Sequence, residues 1–357
     1  MRSEQGRGCF GGRISVAGTR VDVPNSIDEE SSVKNRSSWL HRVLLAVVVG
    51  LVPAVSFAQV VELKVASSFP RNSIWETGFF MFVDRVNERG KGKIKLNYVG
   101  GPEAIPAFQL FDAVRSGVVD VASGVGSYLS SVVPEGDALK LSQLTPAEER
   151  ANGAFDAFHK IMAQKGGVEY LGRFNTPGVH FNFYTINKVE KMEDLKGMKI
   201  RVAPLYRAFA LKLGIVPVTM PHAEIFAALE RGLVNGVGFG GVDFSRYGFQ
   251  KFLKYVVEPQ FYSNDQCILV NQASWNKLPA DVKKLMQDVM LEVERDSSTA
   301  ITQEAAKERA TIVSAGVQVV KLPDSRRYLD MAYEEGWNEV VQKSPENGPQ
   351  LRKLMSK

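Results

Sequence analysis

The chain has 357 residues, 45% hydrophobic and 23% charged. That balance is globular, and the length exceeds one small core, so two domains are expected. The formal charge of +5 is modest and no basic run interleaves with aromatics, which argues against a nucleic-acid partner.

Residues 1–37 are rich in Gly, Ser and charge without periodicity, and read as a disordered extension. Residues 38–58 differ. His41 and Arg42 precede VLLAVVVGLVPAV, and SFA follows ahead of Gln59. A basic stretch, an apolar stretch and a small-x-small site make a secretory signal cleaved after Ala58. The alternative is an N-terminal anchor helix. The apolar run is about a dozen residues and Pro53 interrupts it, whereas a membrane span needs about 20. Cleavage leaves 37 Lys/Arg against 34 Asp/Glu, a net +3. It also leaves Cys267 as the lone cysteine, so the exported chain relies on its core rather than on an intramolecular disulfide. Within FYSNDQCILV, Cys267 reads as a strand-core residue, not a nucleophile.

Strand and helix signals then alternate. VELKVAS (61–67) is a strand. Ser73 and Glu76 form a capping box, and Trp75, Phe79, Phe82 and Val86 recur at helical spacing up to Gly90. KIKLNYV (93–99) alternates as a half-buried strand. A helix over 107–116 stops at Gly117, and VVDVAS follows as a strand. Residues 145–167 read as one helix opened by Thr145–Pro146. In KGMKIRVAPLYRAF (196–209) a short strand carries Arg201 just before a helix. Residues 281–316 form a helix of about 50 Å if unbroken; the alternative is a break near Asp296–Ser297–Ser298. Residues 326–355 are one or two short helices. The alternation argues for an α/β fold.

One internal repeat organises the chain. LFDAVRSGVVDVA (110–122) aligns without gaps on IFAALERGLVNGV (225–237), with Phe111/Phe226, Ala113/Ala228, Gly117/Gly232 and Val119/Val234 coinciding. Each copy is a helix, a glycine cap and a strand, as two similar α/β domains would supply. The strands open into SGVGSY (123–128) and GFGGVDF (238–244). Ligands of open α/β sheets bind at carboxyl ends of strands, so the two loops could face each other across a cleft.

The residues offer little for catalysis. His159, His180 and His222 are not at metal-ligand spacing and no Cys cluster exists, so no metal is expected. No nucleophile elbow, phosphate cradle or acid–base carboxylate pair stands out, so neither an enzyme nor a cofactor is expected. Recognition remains. Arg201 either grips a carboxylate with two parallel hydrogen bonds or makes a salt bridge on a solvated sheet edge. Phe69, Trp75, Phe181, Tyr184 and Phe239 lie near strand ends or loops. Phe239 stands apart because four glycines surround it and leave it little helix or strand to pack in.

EDLKGMKIRV (193–202) and EIFAALERGLVNG (224–236) together resemble the DctP-type extracytoplasmic solute receptors of TRAP transporters, whose patterns are D-L-K-G-x-K-x-R-V and E-x-Y-x-A-L-x-x-G-x-V-D-G. GGPEAIPAFQLFDAVRSGVVDVA (100–122) resembles the N-terminal counterpart, and the likeness runs from about Val61 to the C-terminus. It implies a type II periplasmic binding fold of two α/β domains, a cleft and a C-terminal spine helix. Domain I would hold 59–178 plus about 265–305, and domain II 179–264 plus about 306–357. It implies a periplasmic protein that takes an organic carboxylate and passes it to a two-protein membrane permease driven by an ion gradient; a monomer is expected because no dimer face stands out in the sequence. A binding protein for an ATP-driven transporter or a sensor kinase is the alternative.

The resemblance also assigns residues. Arg201 matches the carboxylate-clamping Arg, and Phe239 the contact three residues beyond the D-G pair. His180, Phe181 and Asn182 match the preceding strand, and the loop ending at Tyr128 its N-terminal counterpart. His222 and Phe69 complete the expected lining. There are departures. The branch that binds 2-oxo acids through a metal carries Glu-Trp where Gly238–Phe239 stand, which argues against a metal bridge, although GGPEAIPAFQ (100–109) most resembles that same branch. The sialic-acid branch carries a second Arg where Phe181 stands, which points to a more apolar pocket.

Overall fold

The computed structural model describes residues 60–357. The extension, the signal segment and its cleavage site lie outside the described residues. Two sheets share the chain. The first has the order β2-β1-β3-β10-β4, from Val61–Ala66 (β1), Ile94–Gly100 (β2), Val121–Val125 (β3), Val168–Arg173 (β4) and Gln266–Asn271 (β10). The second has the order β11-β9-β5-β8-β6-β7, from His180–Thr185 (β5), Lys199–Val202 (β6), Val216–Thr219 (β7), Gly236–Gly240 (β8), Tyr255–Ser263 (β9) and Gln318–Lys321 (β11). The chain thus passes between sheets twice over short stretches, after β4 and between β9 and β10. The described residues nonetheless hold together as one compact unit.

The repeat seen in the sequence is a repeat in space. Helices α2 (Leu110–Arg115) and α6 (Ile225–Glu230) each end near a glycine in the left-handed region, Gly117 at φ +76 and Gly232 at φ +65. A β-carbon is strained there, so glycine stops both helices and turns the chain into a strand. Those strands occupy equivalent places. β3 lies parallel to β1 and antiparallel to β10; β8 lies parallel to β6 and antiparallel to β5.

Other local signals worked out differently. Ser73 caps the turn before helix α1 (Thr77–Arg89) by accepting from the Trp75 N–H at 3.3 Å. Glu76 does not complete a capping box; its carboxyl accepts from the Phe69 N–H at 2.9 Å and is fully buried. Thr145 and Glu148 do form one, Glu148 accepting at 2.7 Å and Thr145 at 3.2 Å. The single helix expected over 145–167 breaks at Gly153, φ +86, into α3 (Pro146–Asn152) and α4 (Ala154–Ile161). After α5 (Arg207–Lys212), α6 and a short helix over Gln272–Lys277 comes α7 (Ala280–Ser314), 35 residues without a break. That is about 52 Å at 1.5 Å per residue. Ser297 does not break it, because its buried hydroxyl faces inward and accepts from the Asn175 N–H at 2.9 Å. Early α7 residues Val282, Met286, Val289, Met290 and Val293 pack with α1, β1 and β2, and Ile312 packs with α6 and β8. Two helices, α8 (Ser325–Lys343) and α9 (Gly348–Met355), finish the chain.

Candidate functional site

Strand β6 is four residues long, and Ile200, Arg201 and Val202 are all buried. Arg201 pairs in register with Val218 of β7 and Val237 of β8, so its backbone is fixed from both sides. Its Nε and Nη2 donate to the Met220 carbonyl at 3.1 and 2.8 Å. Its Nη1 donates to the Gly238 carbonyl at 3.1 Å and the Tyr206 hydroxyl at 3.2 Å. Every partner is neutral. Among the described residues no carboxylate lies within 4.0 Å of this guanidinium, although its residue is only 3% exposed. Taking an ion from water costs several kcal/mol unless a counter-charge offsets it. A second buried arginine shows the usual solution in this chain. Arg173 is fully buried and grips Glu149 with Nη2 at 2.6 Å and Nε at 3.2 Å.

Arg201 borders a cavity between the two sheets. The side of the first sheet supplies Phe69, Trp75, Val125 and Tyr128, and β10 supplies Gln266. The second supplies Phe181, Tyr206, His222 and Phe239. Asp265, in the passage between β9 and β10, also lines it. Two glycines let the rings approach. A β-carbon on Gly238 would collide with the Tyr206 ring, and one on Gly240 with the Trp75 indole. Trp75 and Phe181 lie nearly parallel at 6.1 Å and 13°, while His222 stacks on Phe239 at 5.0 Å and 15°. Phe69 meets the His222 ring edge-on at 5.7 Å.

Burial governs the charge states here. It lowers the His222 imidazole to about 3, helped by the positive Arg201, so this ring is neutral. Burial raises the Tyr128 and Tyr206 hydroxyls, and Arg201 pulls against it. The Asp265 carboxyl is raised by burial and partly held down by hydrogen bonds from Ser127, whose N–H lies 2.7 Å from Oδ2. Behind the cavity, burial raises Glu76 to about 8. Three buried nitrogens of the lining, Trp75 Nε1, His222 Nε2 and Gln266 Nε2, have no hydrogen-bond partner.

The cavity gathers six expected residues: Arg201, Phe239, Phe181, His222, Tyr128 and Phe69. His180 and Asn182 lie elsewhere. Side chains alternate along β5, so with Phe181 facing the cavity its neighbours face away. They line a separate polar groove with Glu258, Gln260 and Arg309. There His180 Nδ1 lies 2.8 Å from the Tyr262 carbonyl, and Asn182 donates to the Val257 carbonyl at 2.8 Å. Phe239 is not excluded from regular structure; it sits in β8 and packs on Phe244 and Phe249 as well. Trp75, Tyr206, Asp265 and Gln266 were not expected as lining. The signal for Asp265 and Gln266 was present: Ser263–Asn264–Asp265–Gln266 is a polar run between apolar strands.

The segment before α1 also meets the loop after β8 directly. Asp243, after β8, accepts from the Ser73 hydroxyl at 2.6 Å and the Ile74 N–H at 2.9 Å. Arg246 donates to the Asn72 carbonyl.

Comparison with known proteins gives this architecture its family. Residues 65–344 match the profile of DctP, bacterial extracellular solute-binding protein, family 7. The chain belongs to that family. A solute-binding protein of Albidiferax ferrireducens is 25% identical over 307 residues, 82% of this chain and 90% of its own. A monocarboxylate 2-oxoacid-binding periplasmic protein of Nostoc sp. is 24% identical over 244 residues, 65% of this chain and 66% of its own. The fold matches a TRAP periplasmic solute-binding protein from Desulfovibrio salexigens with bound orotic acid, at TM-score 0.74 and 20% identity. That match covers 82% of this chain and 97% of the other.

Proposed function

We propose that this protein captures a small organic carboxylate outside the cytoplasmic membrane and delivers it to a TRAP-type permease driven by an ion gradient. Arg201 carries the reading: a buried guanidinium whose only partners are neutral oxygens lacks a negative charge, and a solute carboxylate supplies it. The Nostoc relative and the orotate-bound Desulfovibrio structure are named for solutes that carry a carboxylate, which supports the class. Residues 38–58 act as the export signal in this reading, and the monomeric protein works in the periplasm. It binds and releases; it does not turn its ligand over.

The lobes close by hinge motion, with 59–178 plus about 265–305 on one side and 179–264 plus about 306–357 on the other. Closure excludes water, which strengthens the ion pair. It favours the closed form by the difference in the solute's affinity for the two forms. Asp243, Ser73 and Ile74 would hold the closed mouth together. The test is isothermal titration of wild type, Arg201→Met and His180→Ala with a carboxylate panel including pyruvate, orotate and succinate. Arg201→Met is expected to lose at least 100-fold in affinity for every solute that binds, and His180→Ala less than twofold. Undiminished binding by Arg201→Met would remove the clamp.

A further inference from the structure

Besides Arg201, the cavity is lined by one acidic side chain, Asp265. Asp265 is 2% exposed and lines the same cavity as Arg201. No cation pairs with it among the described residues: the Ser127 N–H is its close donor, and Lys140, whose charge acts on it, is engaged by Asp137 at 2.6 Å. Apart from Arg201, no Lys or Arg lines the cavity, and His222 is neutral. A solute with a second carboxylate would bring like charges together in a water-poor space, where repulsion is strong. The neighbouring lining asks for something else. Trp75 Nε1 and Gln266 Nε2 are buried donors without acceptors.

We infer that Asp265 is a specificity-determining residue, and that the solute is a short monocarboxylate whose far end is uncharged and both donates and accepts hydrogen bonds, as a hydroxyl or carboxamide does. This rests on the reading of Arg201 given above. The carboxylate pairs with Arg201 from the second sheet. The far end donates to Asp265 and accepts from Trp75 or Gln266 on the side of the first. A dicarboxylate of equal length meets Asp265 with the wrong charge and leaves those donors no better satisfied.

Matched pairs isolate the effect, because an amide and a carboxylate differ little in shape. Wild type and Asp265→Asn are titrated calorimetrically with oxamate and oxalate, malonamate and malonate, and succinamate and succinate. Wild type is expected to bind the amide of the best-fitting pair at least tenfold more tightly than the diacid. Asp265→Asn is expected to narrow that ratio at least tenfold. Equal binding of both members by wild type would overturn the inference, whether or not the variant folds. So would an unchanged ratio in a folded variant, or a wild type that binds other carboxylates but no amide acid. Failure to bind any carboxylate would overturn the Arg201 reading as well.

Discussion

Arg173 and Arg201 are both buried guanidiniums, but their surroundings differ. Arg173 is locked to Glu149 and to the Leu139 and Leu144 carbonyls, a closed set of partners within the first sheet's side of the molecule. Arg201 has carbonyls and a hydroxyl and no carboxylate. The first arrangement is complete as folded; in the proposed function the solute's carboxylate completes the second. What separates the two is the counter-charge, since burial is common to both.

That contrast can be broken by substitution. Arg173→Met strands the Glu149 carboxylate and is expected to lose about 3–5 kcal/mol of stability, read by urea denaturation. Arg201→Met removes an uncompensated charge along with its hydrogen bonds, so its solute-free stability is expected to change by less than about 2 kcal/mol. Equal losses in the two variants would erase the distinction. A smaller effect sharpens the account of Arg201's neighbourhood. His222 has a folded pKa of about 3 against an ordinary 6.5. The unfolded chain therefore binds its proton first. The stability this neutral ring allows is present above pH 6.5 and is lost as pH falls toward 3, by up to about 1.4 kcal/mol per pH unit. His222→Asn is expected to flatten that slope in denaturation series between pH 6.5 and 4. Parallel slopes in wild type and variant would show that the ring is not held neutral.

What could be read from the residues, and what could not, follows from range. Gly117 and Gly232 were legible because a helix stop is a local matter and the two copies repeat it. Arg201 was legible as a charge between the apolar Ile200 and Val202 in a short strand just before a helix. His180 and Asn182 were drawn to the site with Phe181 because a motif places a strand but not the face each side chain takes. Gly153 looked tolerable inside a long helical pattern, yet its left-handed backbone splits α3 from α4. Asp265 and Trp75 reach the cavity only through packing between segments about 190 residues apart in sequence, which no local pattern encodes. β11, four residues over 318–321, pairs with β9 as an edge strand too short to announce itself.

The unbroken helix α7 also has a mechanical meaning. It packs on the first sheet's elements along its early turns and on the second's near its end. If the lobes close by the proposed hinge motion, it would act as a splint across the two chain passages. Turning one sheet against the other works against its continuous main-chain hydrogen bonds, which supply a restoring force. Replacing Thr299 and Ala300 by glycine, at up to about 1 kcal/mol each, is expected to speed solute release in stopped-flow chase without touching the cavity. An unchanged release rate would show that the helix carries no load. How readily the protein lets go is then set partly by the stiffness of a helix that lines none of the cavity walls.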